Sequence, residues 1–393
     1  MSSPQPPIDL LDPNFYVGDP HPAYRWMRRN HPVYRDEKNH LWAITKIDHL
    51  REVERRADLY PSGQGYRVNW NPGEGTMISK DDPRHLKQRK LVAERFTPRA
   101  VDGREKEIRE LVAHLLDVYW SMPQVEVVET FAARLPATLT ARLLGFGDAH
   151  WRNVKVWSER LMRIDMIVRD PKLLHDGVMS VREFAEVLEV LVEERRREPC
   201  DDLVSIWANS EIDGSHVDMH TIVDETGLFV SGGAETTRTT IARALITFCE
   251  HPEQWELLVE DPSRIPTAIE EIFRFVTPLN NMLRTAAEDT RIGDQKINKG
   301  DKLMLLYPAA NRDEDHFEEP DRFDVLRDPN PHVAFGLGTH FCLGAALARL
   351  TLRVALEELT RRFARFRLVD APEYEANIFV KAVQRLDLTY DRR

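Results

Sequence analysis

The longest helical pattern in the sequence runs from about Thr221 to Glu250, about 45 Å at 1.5 Å per residue, and two adjacent glycines, Gly232 and Gly233, stand in its middle. Glycine is a poor helix former, so the pair costs roughly 2 kcal/mol relative to alanine, and Thr236 and Thr237 add a little more. A helix keeps such a defect where something passes close by, where its hydrogen bonding must open, or where another helix crosses it. A second feature lies in the run HVAFGLGTHFCLGAALARL, His332 to Leu350. Cys342 stands between glycines in a turn, and an Ala/Leu-rich helical pattern starts directly after it. Backbone N–H groups and the dipole of a helix N-terminus lower a thiol's pKa, which suits a charged metal ligand. Gly338 and Gly344 let the chain turn sharply and approach a flat macrocycle. For the thiol alone, a structural cysteine beside a helix cap is the alternative.

Composition narrows the classes. With 42% hydrophobic and 30% charged residues, the chain reads as a globular protein and is too polar for a membrane one. No apolar run approaches the roughly 18 residues of a spanning helix. The proline-rich start, MSSPQPPIDLLDPNFY, reads as neither signal peptide nor anchor, which leads to a cytoplasmic expectation. Cys200, Cys249 and Cys342 are odd in number and widely spaced, against a disulfide framework or a zinc site. A net charge of −11 disfavours nucleic acid and leaves room for a local basic patch.

Along the chain, Pro32 to Ile47 reads as a small sheet with a turn at Lys38-Asn39, followed by a short helix over 48–56. Tyr60 to Lys80, with Tyr66 and Trp70, reads as a long irregular loop, and such loops are disordered or functional. Asp82 and Pro83 open the next helix, which carries His85 and Arg89 four apart on one face. In isolation that pair is a solvated basic face. Helical patterns follow over 104–120, over 130–144 up to Gly145, and in two segments between Trp151 and Arg196 around a breaker near Asp170-Pro171. Helix 263–275 sets Glu271 and Arg274 three apart, and short strands and turns lead on to a closing hairpin near Phe379.

The pattern Phe335-x-x-Gly338-x-His340-x-Cys342-x-Gly344 resembles the haem-binding loop of the cytochromes P450, and the other motifs fall in that family's order over essentially the whole chain. The resemblance implies a mainly α fold with a minor β region, one triangular-prism-like domain over 1–393, holding haem b (iron protoporphyrin IX). By the same resemblance Cys342 is the iron ligand, and Phe335, Gly338 and Gly344 shape its loop. His85, Arg89, Arg284 and His332 meet the haem propionates, with His340 joining them. Gly232 to Thr237 resembles the oxygen-binding kink, with Thr236 hydrogen-bonding oxygen and Glu235 relaying protons. Glu271 and Arg274 are implied as a buried structural pair completed by Arg322 of Pro320-Asp321-Arg322-Phe323. Tyr60 to Lys80 is implied as the roof of the substrate pocket and 151–196 as a mobile lid, although a core helix pair explains the latter equally well.

The implied reaction inserts one oxygen atom from O2 into a C–H bond. No flavin or iron–sulfur segment is evident, so electrons are expected from a ferredoxin and its reductase. Lys87, Lys90, Arg95, Arg349 and Arg353 are either its docking patch or a solvated face. The pocket expected from Met162, Met166, Ile167, Val230, Gly233, Leu279, Met282, Ile378 and Phe379 is apolar, so the ligand should be large and hydrophobic. The stretch from Asn280 to Cys342 is similar to actinobacterial members that hydroxylate sterol side chains, and a macrolide, terpene or fatty acid is the rival substrate. A non-catalytic haem-thiolate ligand or gas binder is the reading from another class, and the Glu235-Thr236 pair argues against it. A monomer without membrane anchor is expected.

Overall fold

The computed structural model describes residues 8–69, 71–167 and 170–393, so Trp70 of the expected roof loop lies outside the described residues. The hairpin expected near the start forms from strands β1 (Val33–Asp36) and β2 (Leu41–Ile44). Both are short and rich in β-branched and aromatic residues, and neither buries enough surface alone. They gain partners from far along the chain: β3 (Met282–Thr285) pairs with β4 (Lys302–Leu305), and β4 lies parallel to β2 with Leu41 opposite Lys302. The sheet order is β1-β2-β4-β3.

Helices make up most of the remainder. We label those that bear on the site α1 (Ile47–Arg55), α2 (Arg84–Ala93), α3 (Glu105–Tyr119), α4 (Arg134–Leu144), α5 (Trp151–Met162), α6 (Lys172–Arg197), α7 (Met219–Glu250), α8 (Ile265–Val276) and α9 (Ala345–Arg362). α4 ends where Gly145 takes φ +88°, the left-handed cap its sequence position leads one to expect. α7 is capped by Asp218, whose carboxylate accepts from the Thr221 amide at 2.7 Å. It runs through the centre of the fold against α4 and α5. Its first half packs Ile222, Val230 and Ala234 into a cluster with Trp157, Phe184 and Trp207. Its second half packs Ile241, Leu245 and Phe248 with Trp255, Phe323 and residues of α9.

α8 follows a strict apolar stripe, burying Ile265, Ala268, Ile269, Ile272, Phe273 and Val276. Glu271 and Arg274 lie fully inside it, with Arg274 donating to both carboxylate oxygens at 2.6 and 2.7 Å. The third member differs from the expectation. Phe323 turns into the core, so its neighbour Arg322 turns out and pairs with Glu319, offering the buried pair only its carbonyl. Arg327 takes the expected place, with Nε 3.2 Å from Glu271 Oε2, and Asn330 donates to the same oxygen.

Candidate active site

The turn that carries Cys342 is fixed by what it rests on. Gly336 and Gly338 have φ of +65° and +66°, and a Cβ at Gly338 would come 2.3 Å from the Glu54 carbonyl oxygen in α1. Only glycine allows that seat. The Cys342 amide donates to the Phe335 carbonyl at 2.9 Å, and Gly344 precedes α9 with an ordinary φ of −81°. Burial among protein atoms pushes the thiol above its usual value, with the Gly344 N–H, Arg89 and Arg349 acting in the opposite direction. The helix terminus therefore contributes as the sequence suggests, but desolvation outweighs it, and the expected lowering does not hold for the protein alone.

The accessible face of Cys342 opens onto an internal cavity. One wall is α7, through Gly232, Gly233, Thr236, Thr237 and Thr240; another is the cysteine loop, through Phe335, Gly336 and Leu343. Met77 and Ile78 of the long loop, Leu228 and Phe229 of α7, and Leu279 and Met282 before and in β3 line the rest with apolar surface. The two glycines of α7 do different things. A Cβ on Gly233 would meet Thr140 Oγ1 of α4 at 3.0 Å, so this glycine lets two helices cross closely. A Cβ on Gly232 would meet nothing within 4 Å. Thr236 Oγ1 donates to the Gly232 carbonyl at 2.7 Å.

Polar groups gather on one stretch of the lining: Arg89, Arg284, His85 and His340. His85 Nδ1 lies 3.0 Å from Asp82 Oδ1, and its ring packs against that of His340 with centroids 4.2 Å apart and planes tilted by 43°. His340 Nε2 is buried and has no hydrogen-bond partner. Burial first, then Arg284, His85 and Arg89, push His340 down to about 2, so it is neutral near pH 7. Arg89 donates to the Phe341 carbonyl at 2.7 Å and Arg284 to the Leu283 carbonyl at 2.8 Å. Two residues that sequence reasoning passed over join them, Glu54 and Tyr307, hydrogen-bonded to each other at 2.7 Å. Glu54 sits in a charge-rich segment that reads as a solvated face. Its position four residues after Leu50 and seven after Ile47, both buried, is the signal that places it on the apolar side of α1.

Other expected site residues lie elsewhere. His332 points at Glu270, 3.0 Å away, and does not line the cavity. Gly338 rests on α1 rather than on the cavity. Glu235 is on the side of α7 turned from the cavity, paired with Arg238 at 3.1 Å and leaving Oε1 unpartnered. Of the expected substrate contacts, Gly233, Leu279 and Met282 line the cavity, whereas Met162, Met166, Ile167, Val230, Ile378 and Phe379 do not. The reason is a closed seam. Arg67 of the long loop bonds Asp165 at 2.8 Å and the Leu161 and Met162 carbonyls, and its guanidinium lies 4.2 Å over the Phe379 ring. Phe379 packs with Met162, and Ile378 with Met166, behind that seam. Most of the proposed basic patch is already paired: Lys87 with Asp213, Arg95 with Asp201, Arg349 with Glu270 and Arg353 with Glu105.

Residues 20–381 match the family model described as Cytochrome P450. The chain belongs to the cytochrome P450 family. This cytochrome P450 is 38% identical over 367 residues, 93% of its length and 91% of the relative's, to a steroid C26-monooxygenase of Mycolicibacterium smegmatis. It is 33% identical to a linalool 8-monooxygenase of Pseudomonas putida, across 97% of this chain and 98% of that protein. A cytochrome P450 of Mycobacterium marinum solved in complex with pseudoionone has a TM-score of 0.90 at 32% identity, covering 98% of this chain and 99% of that one. The fold is thus the P450 fold, the activity that of a haem-thiolate monooxygenase, and the cofactor haem b. The lining fits that cofactor: a thiol opens on an apolar slot, and guanidinium and imidazole groups, one with an orphaned buried nitrogen, gather where carboxylates would otherwise be costly to bury. Among the described residues no helix is long and apolar enough to cross a membrane.

Proposed function

We propose that this cytochrome P450 hydroxylates a steroid or sterol-like molecule, on its side chain. The observation that carries the reading is the run of apolar residues from the roof loop, α7 and β3 around the cavity onto which Cys342 opens; the steroid C26-monooxygenase relative supplies the substrate class. When bound, the haem supplies oxygen activation for insertion into a C–H bond. Cys342 would hold its iron, and Arg89, Arg284, His85 and His340 would receive its carboxylates. Thr236 presents a hydroxyl to the cavity while its proton rests on the Gly232 carbonyl. Glu235 is kept off the cavity by Arg238, and burial raises its pKa, so it can carry a proton inward once it swings away from that guanidinium.

Electrons would come from a ferredoxin. A surface depression lined by Arg89, Phe341, Cys342, Arg349 and Arg353 gives such a partner access to the sulfur side. Because Arg349 and Arg353 are held by Glu270 and Glu105, an acidic partner would exchange ion pairs rather than meet free cations.

An optical titration with cholest-4-en-3-one tests the substrate class. The expected result is a low- to high-spin Soret shift at micromolar sterol. A shift with linalool or pseudoionone and none with the sterol overturns the steroid assignment in favour of a terpenoid.

A further inference from the structure

The best-enclosed carboxyl on the cavity wall belongs to Glu54, for which neither the family motifs nor the reaction has a use. Its side chain is 2% exposed, at the C-terminal turn of α1. Three separate elements close over it. Tyr307 donates its hydroxyl to Oε1 at 2.7 Å, and Arg284 of β3 brings Nη2 to 3.7 Å of the same oxygen. From the cysteine loop, Gly336 comes so near that a Cβ there would lie 3.0 Å from Oε1, and the Leu337 amide also faces the carboxylate. The second oxygen, Oε2, is buried with no partner. Arg284 and Tyr307 are the titratable and charged groups that face it; the loop meets it with backbone alone.

This arrangement is unbalanced once the cavity holds haem. Arg284 is the guanidinium beside the slot nearest Glu54, and it would then serve two carboxylates, a haem propionate and Glu54. A guanidinium shared in this way holds Glu54 less firmly, and a buried carboxylate whose counter-charge is weakened gains affinity for a proton. We propose that Glu54 is a positioning residue that binds a proton at Oε2 when the haem iron is reduced, so that electron uptake by this cytochrome P450 is coupled to proton uptake.

The inference rests on the reading of the cavity as the haem site. The electron that would reduce the haem iron comes from a one-electron donor of the ferredoxin class, and the proton comes from solvent hydronium, whose O–H bond breaks to leave water as the O–H bond on the Glu54 carboxylate forms. The added negative charge at iron raises the affinity of Glu54 for the proton, and by reciprocity protonation favours reduction. Independently of haem, burial already raises the Glu54 carboxyl to about 7, against the opposing effects of Arg284 and Tyr307, so it changes charge in the neutral range.

The test is a spectroelectrochemical titration of the haem-loaded, substrate-free protein between pH 5.5 and 9, with the Soret band recorded first. In the wild type the midpoint potential should fall as pH rises through the neutral range, and in Glu54→Gln that fall should vanish. Tyr307→Phe removes a hydrogen bond that favours the carboxylate, so the onset of the fall should move to higher pH. A slope in Glu54→Gln equal to that of the wild type overturns the proposal, as does a pH-independent wild-type potential. Should Glu54→Gln fail to hold haem, Tyr307→Phe decides the matter, an unmoved onset overturning it. Absence of a Soret band from the wild type would instead remove the haem-site reading on which the proposal stands.

Discussion

At the level of single residues, the buried pair in α8 shows how far pairing rules reach. Glu271 and Arg274 are both 0% exposed, and each satisfies the other through two hydrogen bonds. Removing one partner strands the other charge in the interior, so Glu271→Ala or Arg274→Ala should each cost about 3–5 kcal/mol in denaturant unfolding of the holoprotein. Arg327→Ala should cost less but measurably, because it loses the contact to Glu271 Oε2 together with hydrogen bonds to the Glu318, Glu319 and Arg322 carbonyls. Arg322→Ala should stay within about 0.5 kcal/mol, as for other surface positions. Equal effects of Arg322→Ala and Arg327→Ala would contradict this assignment. E-x-x-R at three-residue spacing was legible in the sequence. Which arginine completes it was not, because that depends on Phe323 turning inward from an irregular loop, which no spacing reveals.

Among the elements, α7 and the roof loop are joined by a carboxyl that titrates in the neutral range. Glu225 accepts from the Met77 amide at 2.8 Å and from Gln88 Nε2 at 3.0 Å, while Oε2 is buried without a partner. Burial, with Asp224 and Glu74 adding to it, raises its carboxyl to about 8. The folded protein thus holds a proton that the unfolded chain releases near 4.5, so this contribution to stability is complete below that pH and is lost as pH rises through about 8. Glu225→Gln should therefore raise Tm above the wild type by a margin that grows from pH 5 to pH 8 and then levels off. A margin independent of pH would contradict the assignment. The glycines of α7 give a second test. Gly232→Ala adds a methyl to open space and should stabilise the helix by about 1 kcal/mol. Gly233→Ala should gain none of that, because its methyl meets Thr140 at 3.0 Å. Denaturant unfolding of the two variants separates them. The double glycine was visible in the sequence as a defect, and only the crossing of α4 shows that its halves have different causes.

Taken as a whole, the molecule was legible where sequence neighbours decide the outcome: the helices, their glycine and proline ends, the first hairpin, and the loop around Cys342. It was not legible where partners come from afar. Phe379 and Met162 were expected at the cavity because each lies on a segment that borders it, yet the Arg67–Asp165 pair draws both to the outer side of a closed seam. Glu54 was overlooked for the same reason, since nothing in its own segment shows that Tyr307, Arg284 and Gly336 will enclose it. That enclosure also sets an order in time. Glu54 and Tyr307 are 253 residues apart, and at roughly 5–20 residues per second a ribosome takes on the order of 13–50 s to make the interval. The first strands and α1 therefore leave the ribosome with their partners β3, β4 and the cysteine loop still unmade. The seat for Gly338 is synthesised early and stands empty until nearly the whole chain has emerged, so cofactor capture belongs to the end of synthesis, and nascent chains stalled before Cys342 would expose the apolar walls of the slot to chaperones.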